Sequence, residues 1–122
     1  MKQKDVSPVD LYLVFALLKH EPDEKQDHEY QSYWENTYLV KANSPFVAFD
    51  KGVKFAKKDE ENLEYKGKNG AWTYVGIKQV LPIYDKLEDG VELFWTDLGK
   101  RKKSETESKV MSKEEFLSYL GG

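Results

Sequence analysis

Cysteine is absent from this chain of 122 residues, and histidine occurs only twice. Without cysteine there is no disulfide framework, no thiolate metal site and no cysteine nucleophile. That suits a reducing cytoplasm, which is the expected localisation, although many exported proteins also lack cysteine. With His20 and His28 in one charged stretch, a nucleophile–base triad is not to be expected. The eight glycines fall singly, in turns or at the C-terminus, so no phosphate-cradling loop is present. No cofactor is implied by any of this.

Long apolar runs are missing too. The longest, residues 11–18, falls far short of the roughly 20 residues that a spanning helix needs. Lys2 and Lys4 ahead of it imitate a secretory signal. However, Asp5 and Asp10 precede the run, and Lys19-His20-Glu21-Pro22 follows it without a small-residue cleavage site. A buried strand is the better reading. There is also no basic excess: 19 basic against 22 acidic residues leave a net charge of -3, with the signs interleaved. Nucleic-acid binding, which draws on phosphate neutralisation, is therefore not expected.

What is present suffices for one domain, since a chain of this length buries about two-thirds of its unfolded surface. Residues 1–9 read as a flexible polar leader. Residues 10–19 carry apolar side chains on both parities, Leu11, Leu13, Phe15 and Leu17 on one, Tyr12, Val14, Ala16 and Leu18 on the other. A strand covered on both faces needs that pattern, so it is placed centrally in a sheet. After a charged loop, residues 33–42 resume as a strand that is its expected antiparallel neighbour.

Ser44 and Pro45 open the clearest helix, the serine as a cap and the proline where no amide is needed. Phe46, Phe49, Val53 and Ala56 recur at helical spacing as its apolar face, and Gly52 weakens its middle by about 1 kcal/mol. The period then changes to two. Residues 63–66 form a short strand, 67–70 a turn with Asn69-Gly70, and 71–84 a long strand. That strand puts Val75, Ile77, Leu81 and Ile83 on one face and Trp72, Tyr74 and Val80 on the other. Lys78-Gln79, with Pro82 beyond, marks a bulge or bend. A turn at 85–90 leads to a last strand at 91–98.

The expected fold is thus α+β: an antiparallel sheet of four to five strands in the order β-β-α-β-β-β-α. One main helix lies on one face and a short helix ends the chain. Residues 10–98 form the domain, 99–111 a polar connector, and 112–122 the terminal helix. Ser112 and Glu115 have capping-box spacing there, and Phe116, Leu117 and Leu120 give an apolar side.

Three polar motifs invite a functional reading. His20 and His28 with Glu21, Asp23, Asp27 and Glu29 are the one candidate metal cluster, but the spacing matches no compact ligand pattern and a solvated loop is preferred. Lys100, Arg101, Lys102 and Lys103 form a basic run, diluted at once by Glu105 and Glu107, and read as a solvated connector. Glu88, Asp89 and Glu92 surround a turn beside aromatic residues, where desolvation raises a carboxylate pKa. A solvated acidic rim explains them equally.

The aromatic content says more: three Trp, eight Tyr and six Phe make 17. One main helix covers one side of the sheet, so the opposite face is expected to be an apolar patch of Trp72, Tyr74 and Phe94. Patches of this kind mark partner surfaces.

Several stretches are similar to one small bacterial family, catalogued as domain of unknown function 4288. These are Leu39-Val40-Lys41-Ala42 before a Ser-led helix, Trp72-Thr73-Tyr74-Val75-Gly76-Ile77, and Leu87-Glu88-Asp89-Gly90-Val91-Glu92-Leu93-Phe94. The likeness covers roughly residues 10–98, with Trp72, Gly76, Gly90 and Glu92 resembling signature positions. Phe46, Phe49 and Gly52 depart from the more alanine- and glutamate-rich helix that the family implies. The family carries no activity, so no catalytic residue comes with it. The expected function is a non-enzymatic interaction or regulatory module, a homodimer or partner of another protein, in an antitoxin- or immunity-like version among others. The alternative is a small-molecule binder or hydrolase using Glu88 or Glu92.

Overall fold

The computed structural model describes residues 5–21, 32–60 and 71–121. The doubly apolar run forms β1 (Leu11–Glu21), and its pattern follows from its place. It is the central strand of a three-stranded sheet ordered β2-β1-β3, where β2 is Ser32–Lys41 and β3 is Ala71–Ile83. Both neighbours are antiparallel; Leu13 stands opposite Leu39 on one side and Leu81 on the other. Of β1, Tyr12, Val14, Ala16 and Leu18 are all 2% exposed or less, and they face α1 (Pro45–Glu60).

Helix α1 starts at the expected cap, where Ser44 Oγ accepts from the Val47 amide at 3.1 Å. Lys57 and Lys58 lie in its last turn, at the negative end of the helix dipole. The face it buries is not the expected phenylalanine stripe. Ala48, Gly52 and Ala56, spaced by four, meet the sheet, whereas Phe46 is 80% exposed and Phe49 is half-exposed. Close approach is the cause: a Cβ on Gly52 would overlap Val14 Cγ1 and stand 3.0 Å from its Cβ. Larger side chains on that stripe would lift the helix off the strand.

The long strand β3 contains two irregularities. Against β1, its register shifts between Phe15 and Ala16 and again between Leu17 and Leu18, which leaves Lys78 and Val75 as extra residues. The first is the bulge expected at Lys78-Gln79. Pro82 is accommodated because β3 is, among the described residues, an edge strand.

Among the described residues the sheet has three strands, not four to five. The short strand and turn expected at 63–70 lie outside the described residues. Residues 91–98, expected as a strand, pair with none. Its Phe94 ring meets the ring of Phe15, on the central strand, edge-on at 5.7 Å. The polar connector holds a five-residue helix, α2 (Lys103–Glu107). The capping box before α3 (Lys113–Gly121) closes as its spacing implies: Glu115 N–H donates to Ser112 Oγ at 3.1 Å, and Ser112 N–H donates to Glu115 Oε1 at 3.2 Å.

The end of the expected polar leader is tied down. Ser7, 3% exposed, donates through Oγ to the Ile83 carbonyl and accepts from the amides of Val9 and Leu11. Its own amide donates to the Tyr12 hydroxyl at 2.9 Å. One hydroxyl thereby joins the start of β1 to the end of β3.

Candidate interaction face

The sheet has two faces of unequal fate. Ladder register puts Trp72 and Tyr74 with His20 and Leu18, Ile77 with Ala16, and Val80 with Val14. All of them lie on the side of β1 that α1 covers. Two bulges make this possible: without them, Ile77 would fall on the face opposite Trp72. Trp72 is only 5% exposed and packs in the cluster of Ala16, Leu18 and Ala56. The rings of Trp34 and His20 lie at 4.2 and 4.8 Å from it. Tyr74 packs against the same cluster, and the Lys57 ammonium sits 5.8 Å from its ring.

The face expected to be bare is therefore the one under the helix. Trp72 and Tyr74 belong to the core side and Phe94 to the opposite side, so the structure does not bring the three together. Strand parity put Trp72 and Tyr74 correctly with Val80 and opposite Leu81 and Ile83; with both parities of β1 apolar, it did not tell which of the two faces α1 covers.

The second face is built from the odd residues of β1. Leu11, Leu13, Phe15 and Leu17 stand beside Leu39, Thr37 and Glu35 of β2 and Ile83, Leu81 and Gln79 of β3. Phe94 covers part of it through Phe15, and Leu13 and Ile83 are buried. At its β2 margin Leu39 is 51% exposed, and Val75, the unpaired bulge residue of β3, is 50% exposed. Lys78 pairs with Glu35 at 3.3 Å with both side chains solvated, a pair worth well under about 1 kcal/mol. The face is thus a largely buried apolar floor with Leu39 exposed on β2 and the solvated Lys78–Glu35 pair across it.

Beyond it, the C-terminal segment is almost wholly exposed. Trp95, Leu98, Val110, Met111, Phe116, Leu117 and Leu120 all have large accessible fractions, and neither α2 nor α3 buries a residue. The polar candidates lie in the open as well. Glu88, Asp89 and Glu92 are exposed around the turn whose Gly90 has φ +89°. The basic run is exposed too, with Arg101 donating to the Leu98 carbonyl at 2.6 Å and Lys102 3.9 Å from Glu105. Of the metal candidates, Asp23, Asp27, His28 and Glu29 lie outside the described residues. Among the described residues no group of three or more His, Asp or Glu is placed to hold a metal ion, and no helix is long and apolar enough to cross a membrane.

One side-chain polar cluster does form. Tyr38 donates to Asp59 Oδ2, and Asn36 Nδ2 donates to both Tyr38 Oη at 3.2 Å and Asp59 Oδ2 at 3.3 Å. Burial, and then the bond to Asp59, push the Tyr38 phenol up to about 12. A phenol this weakly acidic stays neutral near pH 7. The cluster moves no proton there; it fastens the end of α1 to β2.

A family model described as a domain of unknown function (DUF4288) matches residues 11–95. No curated protein and no solved structure matches the chain.

Proposed function

Because the chain belongs to the family described as domain of unknown function DUF4288, which names no activity, we propose a function from geometry. The protein is a non-enzymatic module that binds another protein, or a second copy of itself, through the sheet face opposite α1 and the segment that follows it. The exposed apolar residues Leu39, Trp95 and Leu98, with Phe94 resting on Phe15 of the sheet, carry this reading. Exposed apolar surface is what partner sites provide, and aromatic residues are enriched there. Glu88 and Glu92, which a hydrolase would need, stand exposed on a turn, and no observation favours that alternative. An immunity-like role is a special case in which the net charge of -3 complements a basic target.

Charging the margin tests the module. Leu39→Asp combined with Val75→Asp alters half-exposed positions and leaves the buried core untouched. Sedimentation of the full chain, alone and mixed with host extract, is expected to show an assembly that the paired variant loses, with thermal unfolding changed by only a few degrees. A protein that is monomeric alone, and that retrieves the same partners with or without the two charges, would overturn the reading.

A further inference from the structure

We propose that the outward face of α1 is a second contact surface, one that lays the molecule on an anionic lipid bilayer. It is the side of the helix that points away from the sheet, so it stands apart from the interaction face described above.

The small residues of α1 fix how the helix is turned. Ala48, Gly52 and Ala56 meet the sheet. At about 100° per residue, Phe46, Val47, Lys51, Lys54, Lys57 and Lys58 then fall within about 80° of the opposite pole. Phe46 is 80% and Val47 41% exposed, and Lys54, Lys57 and Lys58 are exposed as well. One carboxylate, Asp50, shares that arc, whereas Asp59 is held by Tyr38 and Asn36. Four cations less one anion leave +3 on the arc, in a chain whose net charge is -3.

The compensating charge lies elsewhere. Residues 85–97 hold five carboxylates against Lys86 alone, and Phe94 rests that stretch on Phe15, on the sheet face opposite α1. The signs are thus separated across the sheet. An anionic surface draws such a molecule in with α1 foremost.

Shape and chemistry select a bilayer over an anionic polymer. A helix lying on a sheet is convex outward, whereas bound peptides and single strands are held in grooves or along sheet edges. A bilayer needs no groove. Its headgroups take the ammonium groups while the lysine stems lie along the apolar boundary. Phe46 and Val47, exposed in the first turn, enter that boundary, as the apolar residues of helices lying in the interface plane do. Nor does α1 contain Arg, Asn or Gln, so it lacks the planar forks that read base edges.

The test is cosedimentation of the full chain with vesicles. Retention is expected on equimolar phosphatidylcholine and phosphatidylserine, with none on phosphatidylcholine alone, and it should fall as salt is raised. The charge variant, Lys54→Glu with Lys58→Glu, is expected to weaken partitioning by about tenfold or more, and Phe46→Ser by several-fold. Both change exposed positions, so each should keep the wild-type circular dichroism. Because the chain has no cysteine, Val47→Cys or Glu88→Cys places one environment-sensitive dye on either side of the molecule. The dye at 47 should shift to the blue on the mixed vesicles and the dye at 88 should not. No retention on those vesicles, or retention that neither variant weakens, overturns the proposal. A blue shift at 88 that equals or exceeds the one at 47 overturns it too. Binding to duplex DNA or polyglutamate that matches the vesicles and ignores Phe46→Ser would replace the bilayer with a charged polymer.

Discussion

Trp72 shows how much one residue's position depends on its surroundings. Its indole is in the core with the rings of Trp34 and His20 tilted against it, so Trp72→Ala removes buried area and leaves a cavity. The expected loss is about 3–5 kcal/mol, read by urea unfolding, with m unchanged. Replacing an exposed aromatic such as Trp95 is expected to cost less than about 0.5 kcal/mol in the monomer. Tyr38 makes a second residue-scale prediction. Its folded pKa, about 12, lies above the unfolded value of about 10, so the unfolded chain releases this proton first. The stabilisation that Tyr38 contributes is complete below pH 10 and is lost as pH rises toward 12. Ultraviolet titration of tyrosinate should show a late step that Tyr38→Phe removes.

At the scale of elements, the contact between α1 and β1 is decided by small residues. Gly→Ala in an exposed helix gains about 1 kcal/mol, but Gly52→Ala drives a methyl into Val14. Overpacking of this kind costs about 1–3 kcal/mol, so the net effect is expected to be destabilising. Adding Val14→Ala to Gly52→Ala vacates the space, and the two changes should couple favourably by more than about 0.5 kcal/mol in a double-mutant cycle. Additive effects in that cycle would show that the helix moves away without resistance. Of the apolar face expected from spacing, Phe46, Phe49, Val53 and Ala56, only Ala56 is among the buried residues of α1, which are Ala48, Gly52 and Ala56.

For the whole molecule, the core and the C-terminal segment are separable. The buried residues all lie between Ser7 and Ile83, and none comes from α2 or α3. A chain ending at Gly99 is therefore expected to keep the near-ultraviolet circular dichroism of its tryptophan cluster and unfold within a few degrees of the full protein's monomer. It loses far-ultraviolet helical signal. Loss of the tryptophan signal on truncation would mean that the segment supports the core.

Local chemistry in the sequence was enough to determine several elements. The central strand followed from apolar residues on both parities, the start of α1 from Ser44-Pro45, the bulge at Lys78 from a polar break, and the α3 cap from Ser112 and Glu115. Each of these rests on interactions between near neighbours in the chain. The tertiary structure alone decided which sheet face the helix covers and on which side Trp72 and Phe94 end. It also decided that residues 91–98 form no strand and rest on the sheet through Phe94. Those outcomes depend on how closely α1 can approach Val14 and on which apolar face of β1 the helix takes, while the bulges at Val75 and Lys78 cancel and move only Ile77 and its neighbour to the other face. Both are set by packing between elements far apart in sequence, which periodicity does not encode.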